Sequence, residues 1–185
     1  MRVLAVSGSL RRDSHNTRLL RAAAQQLPSG VELELYDGLK QIPAFDEDDE
    51  VAPAPEVVRW RAAIGAADAI LFATPEYNSS IPGQLKNAVD WASRPKADAA
   101  LRNKPVAVVG ASKSMFGALW AQAELRKVLA ASGARVLDAE LAVATAHEAF
   151  DADSLIDADL SDALGEIVVE LLEIAGERSH VVSRI

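Results

Sequence analysis

Residues 67–91 read ADAILFATPEYNSSIPGQLKNAVDW and decide the fold. The run Ala69–Ala73 is apolar at every position. It predicts a strand buried on both faces, because a strand with one wet face alternates apolar and polar residues. The following residues, 74–83, contain two prolines and predict a rigid loop. Gln84–Trp91 has helical spacing, so the whole stretch predicts one strand–loop–helix unit of a parallel sheet.

The same order of elements recurs along the rest of the chain. The other predicted strands are Arg2–Val6, Val31–Leu35, Pro105–Val109 and a last extended segment, Val136–Val143. The other predicted helices are residues 16–27, Glu56–Ala67, Gly117–Ser132 and Ser161–Ala175. Residues 37–55, with three prolines and the acidic run 46–50, are predicted to form a long surface loop. Strands that alternate with helices predict the α/β class. Right-handed crossovers then favour a flavodoxin-like three-layer sandwich with a five-stranded parallel sheet of order 2-1-3-4-5.

Length and composition restrict the class of protein. A chain of 185 residues, half of them apolar and a quarter charged, predicts a single globular domain over residues 1–185. The net charge of −8 argues against a nucleic-acid partner. The first apolar run is too short to span a membrane, so we expect a cytoplasmic protein. The chain has no cysteine, which excludes disulfides and thiolate nucleophiles, and its three histidines lack the spacing of a metal site. Any redox chemistry therefore requires a bound cofactor.

Three loops are predicted to meet at one edge of the sheet. The first loop is SGSLRRDSHN (7–16), the second is TPEYNSSIPG (74–83) and the third is GASKSMFG (110–117). Each follows one of three strands that are neighbours in the predicted order. Ligands of doubly wound sheets bind beyond the carboxyl ends of the strands, where the strand order reverses. We therefore expect the three loops to share one binding site.

The first loop has the donors that a phosphate requires. It leads into a helix N-terminus, whose free N–H groups and dipole favour an anion. Ser9 and Ser14 add hydroxyls, Asn16 can cap the helix or donate its amide, and Arg11 supplies a guanidinium suited to phosphate oxygens. The loop lacks the Gly-x-Gly-x-x-Gly of dinucleotide-binding folds, so a monophosphate such as that of FMN fits better. The residues alone also allow an ordinary strand-to-helix turn, capped by Ser14 or Asn16, with the arginines in solvent.

The second loop is suited to hold a planar ring. Its prolines fix the backbone, and backbone N–H groups near Glu76–Asn78 can reach the N5, O4 or O2 atom of an isoalloxazine, where negative charge accumulates on reduction. Tyr77 adds an aromatic surface or a phenol. A purely structural turn is the alternative. Hydride transfer to a flavin needs no proton donor from the protein in its first half, so no residue is assigned as catalytic, Glu76 included.

The segments GSLRRDSHN and PEYNSSIPGQLKNAVDWAS resemble the two signature segments of the NAD(P)H-dependent FMN reductase family, which includes quinone, chromate and azo-dye reductases. The resemblance implies noncovalently bound FMN, NADPH or NADH as electron donor, and a homodimer or homotetramer. It implies phosphate binding by the first loop, through Ser9, Arg11, Ser14 and Asn16 with the adjoining Leu10 and His15. It implies contact with the isoalloxazine by Pro75, Glu76, Tyr77, Asn78 and Ser112. The third loop departs from the family pattern, because similar chains carry more glycine where this one has Ser114 and Gly117-Ala118.

The function predicted from these features is that of an FMN-containing oxidoreductase. A hydride would pass from NAD(P)H through bound FMN to a small acceptor, which is a quinone, free flavin, an azo or nitro compound, or chromate. The alternative is a flavodoxin-type electron carrier that does not oxidise nicotinamides, and the acidic surface favours it. We expect small-molecule acceptors and further copies of the chain as partners, and no nucleic acid, membrane or metal.

Overall fold

The computed structural model describes residues 1–182, with side chains through residue 177. A parallel sheet has the strand order β2-β1-β3-β4-β5. Its strands are β1 (Arg2–Ser7), β2 (Glu32–Leu35), β3 (Ala69–Thr74), β4 (Pro105–Ala111) and β5 (Arg135–Val136), with a short β6 (Ala142–Val143) that also pairs with β4. This order confirms the predicted flavodoxin-like sheet, and it places the carboxyl ends of β1, β3 and β4 side by side.

Helices cover both faces of this sheet, as predicted. They are α1 (His15–Gln25), α2 (Pro55–Ala66), α3 (Gly83–Ala92), α4 (Leu119–Ala131) and α5 (Ala158–Val182). Helices α2, α3 and α4 pack on one face, in a buried cluster that includes Trp60 and Leu125. Helices α1 and α5 pack on the other face, in a cluster that includes Leu19 and Leu171. Helix α5 extends beyond the predicted Ser161–Ala175 at both ends.

The unbroken apolar run of β3 follows from its central position. Ile70 and Phe72 belong to the core on the side of α2–α4, whereas Leu71 and Ala73 belong to the core on the side of α1 and α5. Strands β1 and β4 flank β3 and complete its hydrogen bonds. Truncating a buried aromatic ring such as that of Phe72 to alanine costs about 3–5 kcal/mol, so this strand is a rigid base for the loop that follows it.

The last predicted strand, Val136–Val143, is two short strands instead of one. Strand β5 pairs with the start of β4, and β6 pairs with its end. Arg126 of α4 contacts the residues between them. Its guanidinium donates to the Ala139 carbonyl at 3.4 Å and to a Glu140 carboxylate oxygen at 2.9 Å. The middle of this segment therefore bonds to a helix side chain, whereas its two ends pair with β4.

The predicted surface loop over residues 37–55 is only partly at the surface. It contains short 3₁₀ turns at Leu39–Gln41 and Glu47–Val51. Leu39 and Ile42 are buried in the core, and the side-chain amide of Gln84 donates to both of their carbonyl groups at 2.8 Å. A side chain of α3 therefore satisfies backbone groups that burial removes from water. The acidic run, by contrast, is largely exposed.

Trp60 and Trp91 belong to the core, although their sequence positions fit a subunit interface equally well. Both side chains are fully buried, and their indole N–H groups donate to the carbonyls of Ala88 and Pro43 at 2.7 and 2.9 Å. Phe116 and Trp120 are nearly half exposed and meet edge to face, with ring centroids 4.8 Å apart. This second pair is available to a ligand or a partner.

A hairpin that the sequence pattern did not indicate follows β6. Its strands are β7 (Phe150–Asp151) and β8 (Ser154–Leu155), and it lies against α1, where the Ser154 hydroxyl donates to Gln25 Oε1 at 3.0 Å. Strands of two residues are too short to show an alternation of apolar and polar residues, so periodicity could not predict them.

None of the helices in the described part of the chain is both long and apolar enough to cross a lipid bilayer. In the same residues, no three His, Asp or Glu side chains are grouped as metal ligands.

Candidate functional site

A cavity of about 200 Å³ lies beyond the carboxyl ends of β1, β3 and β4, where the three loops meet. The residues that line it come from all three loops and are Ser9, Arg11, Ser14, His15, Asn16, Pro75, Glu76, Tyr77, Ala111, Ser112 and Lys113. Every predicted site residue except Leu10 and Asn78 is among them. The structure therefore brings together residues up to a hundred positions apart in the sequence, at the edge where the strand order predicts a ligand.

The first loop is shaped by its own hydroxyl groups. Ser14 is the N-cap of α1, and its Oγ accepts the Thr17 N–H at 3.2 Å. Of the two caps that the sequence allows, Ser14 and Asn16, the structure therefore has Ser14. The Ser9 hydroxyl accepts the Arg11 N–H at 3.4 Å. Gly8 is required where the loop leaves β1, because an added Cβ there would lie 2.8 Å from a methyl group of Leu85. The first loop thus packs tightly against α3 and the second loop.

Asn16 faces β4 and not solvent. Its side chain is 3% exposed, its Nδ2 donates to the Ala111 carbonyl at 2.9 Å, and its Oδ1 accepts the Ala111 N–H at 3.0 Å. The amide oxygen and one amide hydrogen are therefore occupied by backbone of the third loop. Asn16 neither caps α1 nor has a free oxygen, so its main role is to join the first loop to the third.

The first loop brings a histidine with an unpartnered nitrogen to a positively charged part of the site. Within the described residues, the buried Nδ1 of His15 has no hydrogen-bond partner. The His15 ring stacks on Phe150, with centroids 6.3 Å apart and planes 12° apart. Burial holds the pKa of His15 below its ordinary value, and the positive charges of Arg11, Arg18, Lys113 and His147 lower it further. A bound anion would offset both effects, because it supplies an acceptor and opposite charge.

The second loop contains a tight turn at Tyr77–Ser80. The N–H and carbonyl groups of Tyr77 and Ser80 pair at 3.0 and 3.1 Å, and the two central residues have positive φ angles of 53° and 59°. This is the pattern of a type I′ turn, in which asparagine adopts the left-handed conformation at low cost. Asn78 is thus at the exposed tip of a turn, outside the cavity lining. Tyr77 is 49% exposed and borders the cavity.

Glu76 connects the second loop to α4. Its Oε2 accepts the Ala121 N–H at 3.1 Å, in the first turn of that helix. The N-cap of α4 is Ala118, which has no side-chain oxygen to offer. A carboxylate at this position satisfies a free N–H and opposes the positive end of the helix dipole. Beside it, the Ser80 hydroxyl donates to Glu124 Oε2 at 2.6 Å.

The third loop contains a turn formed by its own serines. Ser112 Oγ accepts the Ser114 N–H at 3.1 Å, and the Ser112 and Ser114 carbonyls accept backbone N–H groups from the segment after β6. Gly117 is required near the end of the loop, because its φ is +55° and an added Cβ would lie 2.5 Å from the carbonyl carbon of Ala142. The loop exposes the apolar side chains of Met115 and Phe116 as well as the polar Lys113 and Ser114, and Trp120 of α4 is exposed nearby.

Lys113 and Ala111 line the cavity but were not among the predicted site residues. Lys113 is the second residue after the carboxyl end of β4, a position that gives a usable sequence signal. Ala111 takes part through its backbone, which no side-chain pattern reveals.

A larger cleft, of about 660 Å³, lies at the opposite edge of the sheet. Its cations include Arg94, which follows α3, and Lys127, which is in the last turns of α4. Arg94 is paired with the carboxylates of Glu47 and Glu50, which gives it a structural role. None of the predicted site residues lies in this cleft.

Known proteins resemble this chain over most of its length. Residues 1–148 match the family described as NADPH-dependent FMN reductase. The NAD(P)H-dependent FMN reductase PA1204 of Pseudomonas aeruginosa is 42% identical over 175 residues, which are 94% of this chain and 92% of that protein. A quinone reductase of Pseudomonas putida is 41% identical over 128 residues, 69% of this chain and 68% of its own. The structure of the flavoenzyme NAD(P)H:(acceptor) oxidoreductase FerB from Paracoccus denitrificans superimposes with a TM-score of 0.83, at 32% identity over 95% of this chain and 97% of that one.

Proposed function

The chain belongs to the NADPH-dependent FMN reductase family, and on that premise we propose that it is an oxidoreductase that uses NAD(P)H to reduce quinones at the cavity between its three loops. Family membership gives FMN as cofactor and NAD(P)H as electron donor. The observation that carries the proposal is the convergence of nearly all predicted site residues on one cavity.

The residues that line the cavity near the first loop fit a phosphomonoester. The residues Arg11, His15 and Lys113 line the same space, on a chain whose net charge is −8, and the buried Nδ1 of His15 has no hydrogen-bond partner among the described residues. Unpaired buried polar atoms are rare in folded proteins, so this one suggests a ligand. Arg11 and the hydroxyl of Ser9 would bind the phosphate of FMN, with N–H groups at the start of α1.

The opposite wall fits a flat ring. Pro75 fixes the backbone after β3, and Tyr77 presents an aromatic side chain at the rim. Ser112 of the third loop lines the same cavity. These residues would orient the isoalloxazine, with backbone N–H groups of the second loop directed at its polar edge.

When bound, FMN supplies a ring that accepts a hydride from NAD(P)H and passes the electrons on to a second substrate. The protein's own contribution is to bind, orient and tune. Glu76 is not assigned as a proton donor, because its carboxylate accepts the Ala121 N–H. The exposed rim leaves room for donor and acceptor to bind in turn, which favours ping-pong kinetics.

The proposed acceptor class rests on the exposed apolar side chains of the second and third loops and of the adjoining α4. Met115, Phe116 and Trp120 are exposed apolar side chains close to the third loop, and Tyr77 is exposed on the second. Such a surface favours a planar, largely apolar acceptor, and we therefore place quinones first among the acceptors. Free flavin, azo and nitro compounds and chromate are tested beside them. The exposed aromatic pair Phe116 and Trp120 also offers a surface for a second copy of the chain, which supports a homodimer or homotetramer.

The direct test is steady-state oxidation of NADPH and NADH by purified, FMN-loaded protein with a simple benzoquinone. We expect rapid nicotinamide consumption. Double-reciprocal plots of the initial rate, with both substrates varied, should give parallel lines. Free flavin, an azo dye, a nitroaromatic compound and chromate are then ranked by kcat/KM. An electron carrier would hold FMN but oxidise almost no nicotinamide, and that result would overturn the proposal.

A further inference from the structure

The third loop is anchored at both ends, each time by one side chain from another loop of the site. At its start, the Asn16 amide pairs with the backbone of Ala111. Just beyond its end, the Glu76 carboxylate accepts the Ala121 N–H of α4. Asn16 comes from the first loop and Glu76 from the second, so all three loops are connected.

The Asn16 anchor replaces a missing strand neighbour. The last residue pair between β3 and β4 is Thr74 with Gly110, and Pro75, which follows, has no N–H to donate. Ala111 is the next residue of β4 and has no β3 partner in the ladder. The side-chain amide of Asn16 offers the same donor and acceptor as a peptide group, and it is buried at this point. Losing it would leave two buried backbone groups unpaired.

The Glu76 anchor replaces a missing helix cap. Ala118, the N-cap of α4, is left-handed with a φ of 65° and has no capping side chain. The Ala121 N–H would lack an acceptor in the first turn, where helices normally use an adjacent Ser, Thr, Asp or Asn. This helix takes its acceptor from the second loop instead. Movement of the second loop is therefore linked to the start of α4 and, through it, to the third loop.

We propose that Asn16 and Glu76 are positioning residues, which fix the third loop relative to the second and so set the ring-binding part of the cavity. This inference rests on the proposed function. It assigns the two side chains a role different from direct contact with the cofactor. Releasing either anchor should weaken binding of the flavin ring. The contribution of the phosphate to the affinity for FMN should stay unchanged.

The test compares FMN with riboflavin, which has the same ring and no phosphate. Glu76→Ala should weaken the binding of both by the same factor, about tenfold, because a hydrogen bond to a charged group is lost. Glu76→Gln keeps an acceptor oxygen for the Ala121 N–H and should restore both affinities to within about twofold of the original chain. Glu124→Gln is the matched control, since it removes one negative charge from an exposed position of the same helix and keeps an acceptor for Ser80. It should leave both affinities unchanged.

Asn16→Ala should act in the same direction as Glu76→Ala. An equal loss of FMN and riboflavin affinity is expected, with a higher KM for the quinone. If a folded Glu76→Ala protein keeps both flavin affinities and its quinone KM, the inference is overturned. The same holds if Glu76→Gln weakens ring binding as much as Glu76→Ala does, since the acceptor oxygen would then not matter.

Amide hydrogen exchange of the flavin-free chain tests the anchors without any ligand and without relying on a variant. The Ala121 N–H should be protected in the original chain, although first-turn amides without an acceptor exchange freely. In Glu76→Ala, exchange should be faster at Ala121 and along the third loop. Unprotected Ala121 in the original chain would overturn the inference. Failure of the original chain to bind either flavin, with Ala121 protected, would instead overturn the proposed function.

Discussion

At the scale of single residues, Arg11 is the side chain on which anion binding depends most. It lines the cavity, is exposed, and forms no salt bridge with the side chains that the structure describes. Its guanidinium is therefore free to bind two phosphate oxygens at once. Asn16, which the sequence places in the same role, is already paired with Ala111.

Arg11→Ala should weaken FMN binding by roughly tenfold or more, because a charge-assisted hydrogen bond contributes about 1.5–3 kcal/mol. Riboflavin binding should not change, since riboflavin has no phosphate. Fluorescence titration with both flavins measures the effect. Arg12→Ala is the control, because Arg12 is the neighbouring cation and does not line this cavity. Equal losses for both flavins in Arg11→Ala would contradict the assignment of a phosphate contact.

His15 should make the stability of the flavin-free chain depend on pH. Its pKa is lower in the folded state than its ordinary value of 6.5, mainly through burial and then through nearby cations. The unfolded chain therefore binds the proton more readily, so folding stability is present above about pH 6.5 and is lost as the pH falls toward the lowered pKa. His15→Gln cannot titrate and should lose less stability between about pH 7 and pH 5.

Urea unfolding of both flavin-free chains over this pH range measures the difference. The free energy of unfolding of the original chain should decline more steeply than that of the variant. Parallel curves would show that His15 does not titrate at a lowered pKa.

Sequence reasoning at this scale identified residues that line the cavity but not what each one does. Position after a strand was enough to select Ser9, Arg11 and Glu76. The partner of Asn16 is 95 residues away, and that of Glu76 is 45 residues away. No local pattern specifies which backbone group such a side chain will meet, so positioning roles became visible only in three dimensions.

At the scale of elements, the turn at Tyr77–Ser80 carries backbone strain that one substitution can relieve. Ser79 is exposed and has a φ of 59°, a conformation that costs a non-glycine residue about 1–2 kcal/mol. The sequence indicated a rigid loop here, since the prolines are visible. It did not indicate the type I′ turn, because Asn-Ser lacks the glycine that usually marks one.

Ser79→Gly should raise the free energy of unfolding by about 0.5–1 kcal/mol, which is the relieved strain less the greater entropy of glycine in the unfolded chain. Chemical denaturation measures this change. Ser80→Gly is the matched control and should destabilise the chain, because the Ser80 hydroxyl donates to Glu124. If both variants lose stability equally, the strain argument for Ser79 is wrong.

The elements that sequence patterns missed are those held by distant side chains or too short to show a period. The segment between β5 and β6, for example, is hydrogen-bonded to Arg126 of α4. The long central strands were predictable because burial on both faces makes them apolar throughout.

At the scale of the whole molecule, the parallel order of the sheet creates the site. Winding reverses between β1 and β3, so the loops after these strands diverge and leave a cavity between them. Alternation of strands and helices, together with right-handed crossovers, left few possible orders, and the commonest of them is the observed one. Which ligand the cavity binds, by contrast, depends on side chains that the strand order does not specify.

Ligand binding at this cavity should stabilise the entire fold. FMN binds the folded chain and not the unfolded one, so free FMN at about a hundred times its Kd adds about 2.7 kcal/mol. For a chain of this size the Tm should rise by roughly 5–10 °C. Differential scanning fluorimetry with and without FMN measures the shift, and Arg11→Ala should reduce it. An unchanged Tm at saturating FMN would contradict a site built into the folded sheet.

The central claim is that one cavity binds FMN and lets NAD(P)H reduce it. Anaerobic titration of the FMN-loaded chain with NADPH, and separately with NADH, followed by visible absorbance, tests this most directly. We expect the bound flavin to be bleached by about one equivalent of at least one nicotinamide, and its colour to return when a quinone is added. A chain that binds no FMN, or bound flavin that neither nicotinamide bleaches, would contradict it.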